Sequence, residues 1–433
     1  MKISIKSFTI SSIILLLLIG SCKSGSVRGG QENFVVAQID SLLEHKNFFA
    51  ARKLYQQNFQ NLSEFEKLKA GVFLDYAFNR SDSSAYKSEI LFSRFKDRLR
   101  DSMEYEIKAL AHINHSREYE YKKAKESLQQ LLANYDSFIS EEEKKDLQNT
   151  LIIWKALQDQ PKQRVVKNDR LELPLFIDKA SLKNLTVTSG DVKENFIFDT
   201  GANISTISET TAEKFGVKVL SGSFEVDAIT GNKINSQIGI APRLEIGPVI
   251  IYNAVCLIFP DDALSISQLD YQINGILGFP VLEALDEIQI TRDNILIVPV
   301  EQTHSREGNL AIDFLTPLLF LKDNQGAGVY TFDISATESM LYDTYFKKHR
   351  AELENAAEVD YSFGGAGGVT TKKGLYTSFS PIVNGRAIKL DQVIVLKEAV
   401  TPNNYFYGNI GQDLIDKFEK MIINFDKMFL SFE

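Results

Sequence analysis

The sequence has few cysteines, few histidines and no excess of positive charge. Its two cysteines, Cys22 and Cys256, cannot form a disulfide framework. The formal net charge of −9 offers no basic surface for phosphate backbones, so nucleic acid is not expected as a partner. The five histidines include one close pair, His112 and His115, but no cysteine or carboxylate cluster completes a ligand set beside it. No metal site and no cofactor are predicted.

The chain does contain enough apolar material for several folded units. Its 433 residues are 44% hydrophobic and include 29 Phe and 16 Tyr. This composition excludes collagen-like and disordered chains. At roughly 100–200 residues per domain, the length allows two to four domains.

The N-terminus has the order of a secretion signal. Lys2 and Lys6 precede the apolar run 13–19, which suits a signal-peptide core but is too short to span a bilayer. The next residues, Ile19-Gly20-Ser21-Cys22, resemble the bacterial lipobox, in which the cysteine is lipidated and becomes the new N-terminus. The alternative is an ordinary signal peptide followed by a free cysteine.

The lipobox resemblance implies a lipid anchor at Cys22 and a membrane location. Residues 1–22 are then the signal peptide and lipobox, and the Gly- and Ser-rich residues 23–32 are a flexible tether. The tether lacks the acidic cluster found in surface-exported lipoproteins of some Gram-negative bacteria. We therefore expect an outer-membrane lipoprotein that faces the periplasm.

Residues 33–160 are predicted to form a helical domain. Apolar residues recur at helical spacing, as at Val35, Ile39 and Leu42, and roughly seven helices are expected. Ser63–Glu66 and Ser140–Glu143 have the pattern of capping boxes. Helix-pair lengths and small residues resemble tetratricopeptide-type repeats, although a generic helical bundle explains them as well. A protein partner could bind this domain.

The pattern changes near Pro161, and the rest of the chain is mostly β. Short runs of β-branched and apolar residues alternate with turns up to Glu433. The fold class predicted is therefore multidomain α + β, with a helical domain followed by a bilobal all-β region. The change also predicts an accessible link between the two parts at residues 158–169.

Two motifs in the β region occur twice. Phe198-Asp199-Thr200-Gly201-Ala202 is matched 134 positions later by Phe332-Asp333-Ile334-Ser335-Ala336. Asn274-Gly275-Ile276-Leu277-Gly278 is matched by Tyr407-Gly408-Asn409-Ile410-Gly411, with 133 positions between the final glycines. This tandem spacing predicts two similar lobes, at residues 170–300 and 305–433. A local two-fold axis between the lobes would bring Asp199 and Asp333 together.

Asp-Thr-Gly-Ala after an apolar strand, with a hydrophobic-hydrophobic-Gly motif downstream, resembles the pepsin and retropepsin superfamily of aspartic peptidases. The resemblance covers the β region and implies that Asp199 and Asp333 form a catalytic dyad. It implies loop support from Thr200, Gly201, Ala202 and Ser335. It also places substrate-binding flaps at two loops, one with Ile229, Thr230 and Gly231 and one with Gly364, Gly365 and Gly367. No Gly-Lys-Ser/Thr follows these glycines, so they do not form a phosphate-binding loop.

The second motif departs from the family pattern, because Ile334 and Ser335 replace its threonine and glycine. Two functions follow. The first is a lipid-anchored aspartic peptidase, in which the two aspartates activate a water molecule against a peptide bond. The second is a catalytically weak or inactive protein that binds peptides in the same cleft.

Overall fold

A computed structural model describes residues 28–227, 233–266, 269–304, 308–353, 355–365, 368–399 and 405–433. The predicted signal peptide, Cys22 and residues 23–27 of the predicted tether lie outside these ranges, so their assignment stays a prediction, whereas residues 28–32 of the predicted tether are helical. Within the described ranges, no helix is both long enough and apolar enough to cross a membrane.

The N-terminal part is helical, as its apolar spacing predicts. Seven α-helices follow one another between residues 28 and 157 of the described chain. The Ser63 hydroxyl accepts from the Glu66 amide while the Glu66 side chain accepts from the Ser63 amide, which completes a capping box. At the helix that begins at Glu141, only one of the two capping-box hydrogen bonds forms: the Ser140 hydroxyl accepts from the Glu143 amide. The helices are α1 (Arg28–Glu44), α2 (Phe48–Asn58), α3 (Glu64–Ala77), α4 (Ser81–Arg94), α5 (Asp101–Arg117), α6 (Tyr121–Asn134) and α7 (Glu141–Leu157).

The first β lobe is a nine-stranded sheet with two short helices beside it. Its strands run in the order β1-β9-β6-β12-β5-β4-β8-β7, β3 also pairs with β4, and the pairing of β8 with β9 closes the sheet on itself. A separate hairpin, β10 (Ser265–Ile266) and β11 (Tyr271–Gln272), lies outside it. The sheet and its helices comprise β1 (Arg164–Lys167), β3 (Phe176–Ile177), β4 (Lys183–Ser189), β5 (Val192–Phe198), β6 (Ser205–Ser208), α8 (Glu209–Lys214), β7 (Lys218–Asp227), β8 (Lys233–Ile246), β9 (Val249–Phe259), β12 (Gly275–Leu277) and α9 (Phe279–Glu283).

The second lobe repeats this plan. Its ten-stranded sheet has the order β19-β20-β23-β18-β24-β17-β16-β21-β22, with β15 paired to β16. The short strand β24 lies parallel to β17 and antiparallel to β18, as β12 lies relative to β5 and β6 in the first lobe. The lobe comprises β15 (Leu310–Asp313), β16 (Thr316–Asp323), β17 (Gly326–Phe332), β18 (Met340–Leu341), α10 (Asp343–Lys348), α11 (Arg350–Leu353), β19 (Glu358–Gly365), β20 (Gly368–Phe379), β21 (Ile382–Val383), β22 (Arg386–Ala387), β23 (Leu390–Leu396), β24 (Gly408–Ile410) and α12 (Gln412–Ile415).

A third sheet joins the lobes. It contains β2 (Leu171–Pro174), β14 (Ile295–Val298), β13 (Glu287–Thr291), β25 (Lys420–Asn424) and β26 (Phe429–Phe432), in that order. At its centre Gln289 pairs with Ile422, and these residues are 133 positions apart, like the final glycines of the repeated motif. A residue that pairs with its own repeat partner lies on the local two-fold axis. The axis predicted from the motif spacing therefore runs through the β13–β25 pair.

The helical domain packs against both lobes. Phe49 of α2 contacts Phe320 of β16 in the second lobe, with 5.3 Å between the tilted rings' centroids. Asn149 of α7 donates from Nδ2 to the Glu225 carbonyl of β7 in the first lobe, at 3.1 Å. Buried side chains of α2 and α3 belong to the same hydrophobic cluster as those of the two β lobes. The fold is therefore stabilised by a core that the helical and β parts share.

The segment 158–169, which was predicted to be an accessible link, is therefore held against the first lobe. Gln163 is only 6% exposed and donates to the Pro280 carbonyl at 3.0 Å. The segment then enters β1, which pairs with β9 before the predicted start of the first lobe at residue 170. Composition marks the change in secondary structure here, but it cannot show that the two parts bury apolar surface against each other.

A buried carboxylate fixes the segment that connects the lobes. Glu287 of β13 has no exposed surface. It accepts hydrogen bonds from Gln289 at 2.7 Å, from the Thr303 amide at 2.8 Å and hydroxyl at 2.7 Å, and from Asn424 at 2.9 Å. Burial alone would raise the pKa of Glu287, but the hydrogen bonds outweigh burial and lower it. The ionised form is thus the one that the fold stabilises.

We expect Glu287→Gln to destabilise the protein by about 1–3 kcal/mol at pH 7, because a buried acceptor set loses its charge-assisted bonds. A lowered carboxyl pKa stabilises the fold above the ordinary value near 4.3 and stops doing so as the pH falls through the folded-state pKa. The difference from wild type should therefore shrink at pH 3. Urea unfolding at both pH values measures it, with the exposed Glu419→Gln as control. If Glu287→Gln destabilised the protein equally at pH 7 and at pH 3, the lowered pKa of Glu287 would be contradicted.

Candidate active site

The first motif forms a loop at the C-terminal end of β5. The Asp199 amide donates to the Leu277 carbonyl at 3.2 Å, which anchors the loop to β12. The Gly201 amide donates to Asp199 Oδ1 at 2.7 Å and holds the carboxyl group in place. Asp199 as a whole residue is half-buried.

The second motif forms the matching loop at the end of β17. The Asp333 amide donates to the Ile410 carbonyl of β24 at 3.0 Å, as Asp199 does to β12. Asp333 Oδ1 accepts from the Ser335 amide at 2.8 Å and from the Ser335 hydroxyl at 2.9 Å. Ser335 thus supplies a second donor that the glycine at position 201 cannot provide.

Each loop is closed by the glycine of the second repeated motif. A Cβ on Gly278 would lie 2.7 Å from the Ser205 nitrogen and 2.8 Å from the Ala202 carbonyl, and a Cβ on Gly411 would lie 2.5 Å from the Ala336 carbonyl. The chain segments approach too closely for a side chain at either position. The hydrophobic-hydrophobic-Gly pattern therefore follows from packing of the two loops.

Sequence reasoning missed the role of a pair of serines. Ser205 and Ser339 each lie six positions after a motif aspartate. Their hydroxyls accept from the amides of Gly278 and Gly411, respectively, both at 3.0 Å. Comparison of the two repeats beyond their motifs would have found this pair, since it preserves the 134-residue spacing.

The two loops are joined by Thr200. Its hydroxyl donates to the Phe332 carbonyl at 3.3 Å and accepts from the Ile334 amide at 2.9 Å, across the lobe boundary. Ile334 is fully buried at the position related to Thr200, and it has no hydroxyl to make the reciprocal bonds. The cross-lobe connection is therefore one-sided, as the replacement of threonine by isoleucine predicts.

We expect Ile334→Thr to be more stable than Ile334→Val by about 0.5–1.5 kcal/mol, because the two side chains have nearly the same shape and only threonine can complete the cross-lobe hydrogen bond. Thermal and urea unfolding of the two variants measure the difference. If valine proves the more stable, the new hydroxyl finds no partner and the symmetric interface is not restored.

The two aspartates form one electrostatic unit. Burial and the neighbouring Asp333 raise the pKa of Asp199 well above its ordinary value, and hydrogen bonds from Ser335 and Gly201 offset this only in part. The Asp333 carboxyl group also lies against Gly201, where an added Cβ would be 2.6 Å from Oδ2. The arrangement favours one proton shared by the pair, with the raised pKa on Asp199 and two hydrogen-bond donors from Ser335 on Asp333.

The remaining predicted site residues are placed as follows. Ala202 is half-buried, and its carbonyl accepts from the Phe279 amide at 2.8 Å. Gly364 and Gly365 lie at the end of β19, where Gly365 pairs with Gly368 of β20. The other predicted flap residues lie outside the described part of the chain: Ile229, Thr230, Gly231 and Gly367. The strands that lead to both predicted flaps form hairpins, β7 with β8 and β19 with β20.

Other chemistry-bearing residues lie away from this site. Cys256 is buried in β9, and burial raises the pKa of its thiol to about 12, so it is not a reactive nucleophile. His112 is buried within α5, and burial lowers its pKa to about 4. No group of three or more His, Cys, Asp or Glu side chains suited to a metal ion occurs among the residues that the structure describes.

Comparison with known proteins agrees with the first loop. Residues 185–281, which include Asp199 and Gly278, match the family model described as aspartyl protease. The crystal structure of a retropepsin-like aspartic protease from Rickettsia conorii is 20% identical, with 32% of this chain and 94% of that chain covered and a TM-score of 0.23. No curated protein matches the chain. Residues 185–281 thus match the aspartyl protease family model, within a chain that carries a helical domain followed by two β lobes.

Proposed function

We propose that this protein is an aspartic peptidase that hydrolyses peptide bonds with a water molecule activated by Asp199 and Asp333. The observation that carries the proposal is that two carboxyl groups on related loops lie together, with the pKa of Asp199 raised and Asp333 hydrogen bonded by Ser335. A pair in this state contains both a general acid and a general base.

Each aspartate has a distinct role in this proposal. The Asp333 carboxylate takes a proton from the attacking water, while protonated Asp199 donates its proton to the oxygen of the scissile carbonyl. Asp333 then gives the proton it took from water to the amine nitrogen, the C–N bond of the diol intermediate breaks, and a hydroxyl proton of the diol returns to Asp199, which restores the starting state of the pair. Because Asp199 must be protonated, activity should fall as the pH rises above its pKa.

One observation favours the second candidate function, a peptide-binding protein with weak or no turnover. Ser335 stands where the first loop has Gly201, so its hydroxyl competes for the Asp333 oxygen that would receive a proton from water. An oxygen that already accepts two hydrogen bonds is less accessible to a water molecule. The cleft would then bind an extended peptide without cleaving it efficiently.

Incubation of the purified full-length chain with a peptide library, across pH 3 to pH 8, tests the proposal. Cleavage that both Asp199→Asn and Asp333→Asn remove supports a peptidase. If no form cleaves any peptide but labelled peptides still bind, the binding function replaces the proposal.

We also propose that the chain is a lipoprotein anchored through Cys22, facing the periplasm at the outer membrane, with a protein partner on its helical domain. The sequence supports the anchor by the order of basic residues, apolar run and lipobox. The anchor would hold a peptidase close to membrane-associated substrates.

We expect Cys22→Ala to remove fatty-acid labelling and to release the protein from the membrane fraction, because the lipidated thiol is lost. Metabolic labelling followed by fractionation measures both results, and Cys256→Ala serves as the control because its buried thiol cannot be lipidated. Persistent labelling of Cys22→Ala would contradict the anchor assignment.

A further inference from the structure

A pocket lies where the helical domain meets both lobes. Its lining includes Arg117 at the end of α5 and Trp154 of α7, and on the β side Ile204, Pro280 and Leu315. Most of these groups are apolar, and Tyr121 stacks on Trp154 with 5.9 Å between ring centroids. This pocket is separate from the dyad, although Ile204 follows the Asp199 loop closely in the sequence.

Two buried donors in this lining lack acceptors. Trp154 is 4% exposed and Arg117 is 8% exposed. Among the described residues, neither Trp154 Nε1 nor Arg117 Nε has a hydrogen-bond partner. Buried N–H groups are almost always paired, and each unpaired one costs roughly 1–3 kcal/mol. Two unpaired donors in one pocket indicate a ligand with acceptor atoms.

The positive charge of Arg117 favours an acceptor that is an anion. Its Nη1 donates to the Tyr76 carbonyl at 2.9 Å and its Nη2 to Asn79 Oδ1 at 2.7 Å, and both acceptors are neutral. In the described part of the chain, no carboxylate lies within ion-pair distance of this guanidinium. A buried cation is stabilised by an anion that accepts its remaining N–H.

Glu283 is the acidic side chain of the pocket. Burial raises its pKa above the ordinary value despite the attraction of Arg117. Burial of Glu283 therefore works against the charge that would compensate the guanidinium.

The free volume of the pocket is about 40 Å³, and it limits the size of the chemical group that can bind there. Since one water needs about 10–15 Å³, roughly three atoms of that size fit, which matches a carboxylate. We propose that this pocket binds a terminal carboxylate group, from a small organic acid or the C-terminus of a peptide, through Arg117 Nε and Trp154 Nε1.

The sequence provides a direct probe, because Trp154 is its one tryptophan. Titration of the full-length protein with sodium acetate, and with N-acetyl-dialanine, should change tryptophan fluorescence saturably at millimolar concentrations. Acetamide and N-acetyl-dialanine amide, which have the same shapes without the charge, should bind at least about tenfold more weakly. Sodium chloride controls for ionic strength.

Arg117→Gln should weaken acetate binding at least about tenfold, whereas Arg98→Gln, a matched change on the same domain outside the pocket, should leave it unchanged. Tighter binding of the peptide acid would identify a peptide C-terminus as the ligand, and equal binding a small organic acid. Arg117→Gln also loses structural hydrogen bonds. If this variant does not fold, the comparison of acid with amide in the wild-type protein decides the test. No saturable change, or equal binding of acid and amide, overturns the proposal. No arm of this experiment measures hydrolysis, so failure of the carboxylate-binding proposal is independent of the peptidase function.

Discussion

Replacement of either Asp199 or Asp333 by asparagine is expected to reduce peptide hydrolysis by at least about 10⁴-fold, as removal of one member of a catalytic unit does in other hydrolases. Asparagine keeps the shape of the side chain but can neither take a proton from water nor carry the shared proton. Initial rates at the pH optimum measure the effect. Asp293→Asn, an exposed aspartate in the turn after β13, is the matched control and should retain wild-type turnover.

The double variant should be no slower than either single variant, because each aspartate is useless without the other.

A second readout does not depend on turnover. The raised pKa of Asp199 means that its ionisation in the folded state costs stability as the pH rises above the ordinary carboxyl value. Asp199→Asn should therefore have a higher Tm than wild type at pH 7, and this gain should disappear at pH 3. Hydrolysis that survives Asp333→Asn would exclude the second lobe from the reaction.

The repeated lobes could be predicted from the sequence because packing imposes the same residues twice. Gly278 and Gly411 meet the chain that follows each aspartate, so neither position tolerates a side chain. The residue before each glycine, Leu277 or Ile410, is apolar and fully buried in its own sheet. A constraint of this kind leaves a motif with constant spacing, which is why the dyad and its local two-fold axis were predictable.

The contacts of the helical domain left no such signal. Phe49 and Asn149 contact β strands far along the chain, and nothing in local periodicity distinguishes a helix face that packs on another helix from one that packs on a sheet. The pocket around Arg117 has the same origin, since its walls come from the helical domain and from both lobes. Such features depend on tertiary placement, which single-sequence patterns do not encode.

The asymmetry of the dyad also could be predicted only in part. Replacement of threonine by Ile334 predicts the loss of half of the cross-lobe hydrogen bonding. That Ser335 would turn its hydroxyl onto Asp333 could not be derived from its position alone. The structure accommodates a side chain at position 335, whereas the Asp333 carboxyl group lies directly over Gly201. The two loops are therefore related in backbone but differ in the residue that meets the opposite aspartate, Gly201 in one and Ser335 in the other.

Gly201→Ala is accordingly expected to reduce turnover by about 10²-fold or more, since displacement of a reacting group by about 1 Å has an effect of that size. The added Cβ would lie 2.6 Å from Asp333 Oδ2 and 2.8 Å from its Cγ, so the carboxyl group must move. Such overpacking should also cost about 1–3 kcal/mol of stability. Rates and urea unfolding of the same preparation measure both effects.

Ser335→Ala is the matched variant on the opposite loop. It keeps the Cβ that this position already accommodates and removes only the hydroxyl that donates to Asp333. We expect a change in the pH dependence of hydrolysis with a smaller loss of rate, because the hydroxyl also lowers the pKa of Asp199 and its removal should move the alkaline limb to higher pH. Equal losses in Gly201→Ala and Ser335→Ala would contradict the asymmetry. Full activity in Gly201→Ala would mean that Asp333 does not occupy this position when the reaction takes place.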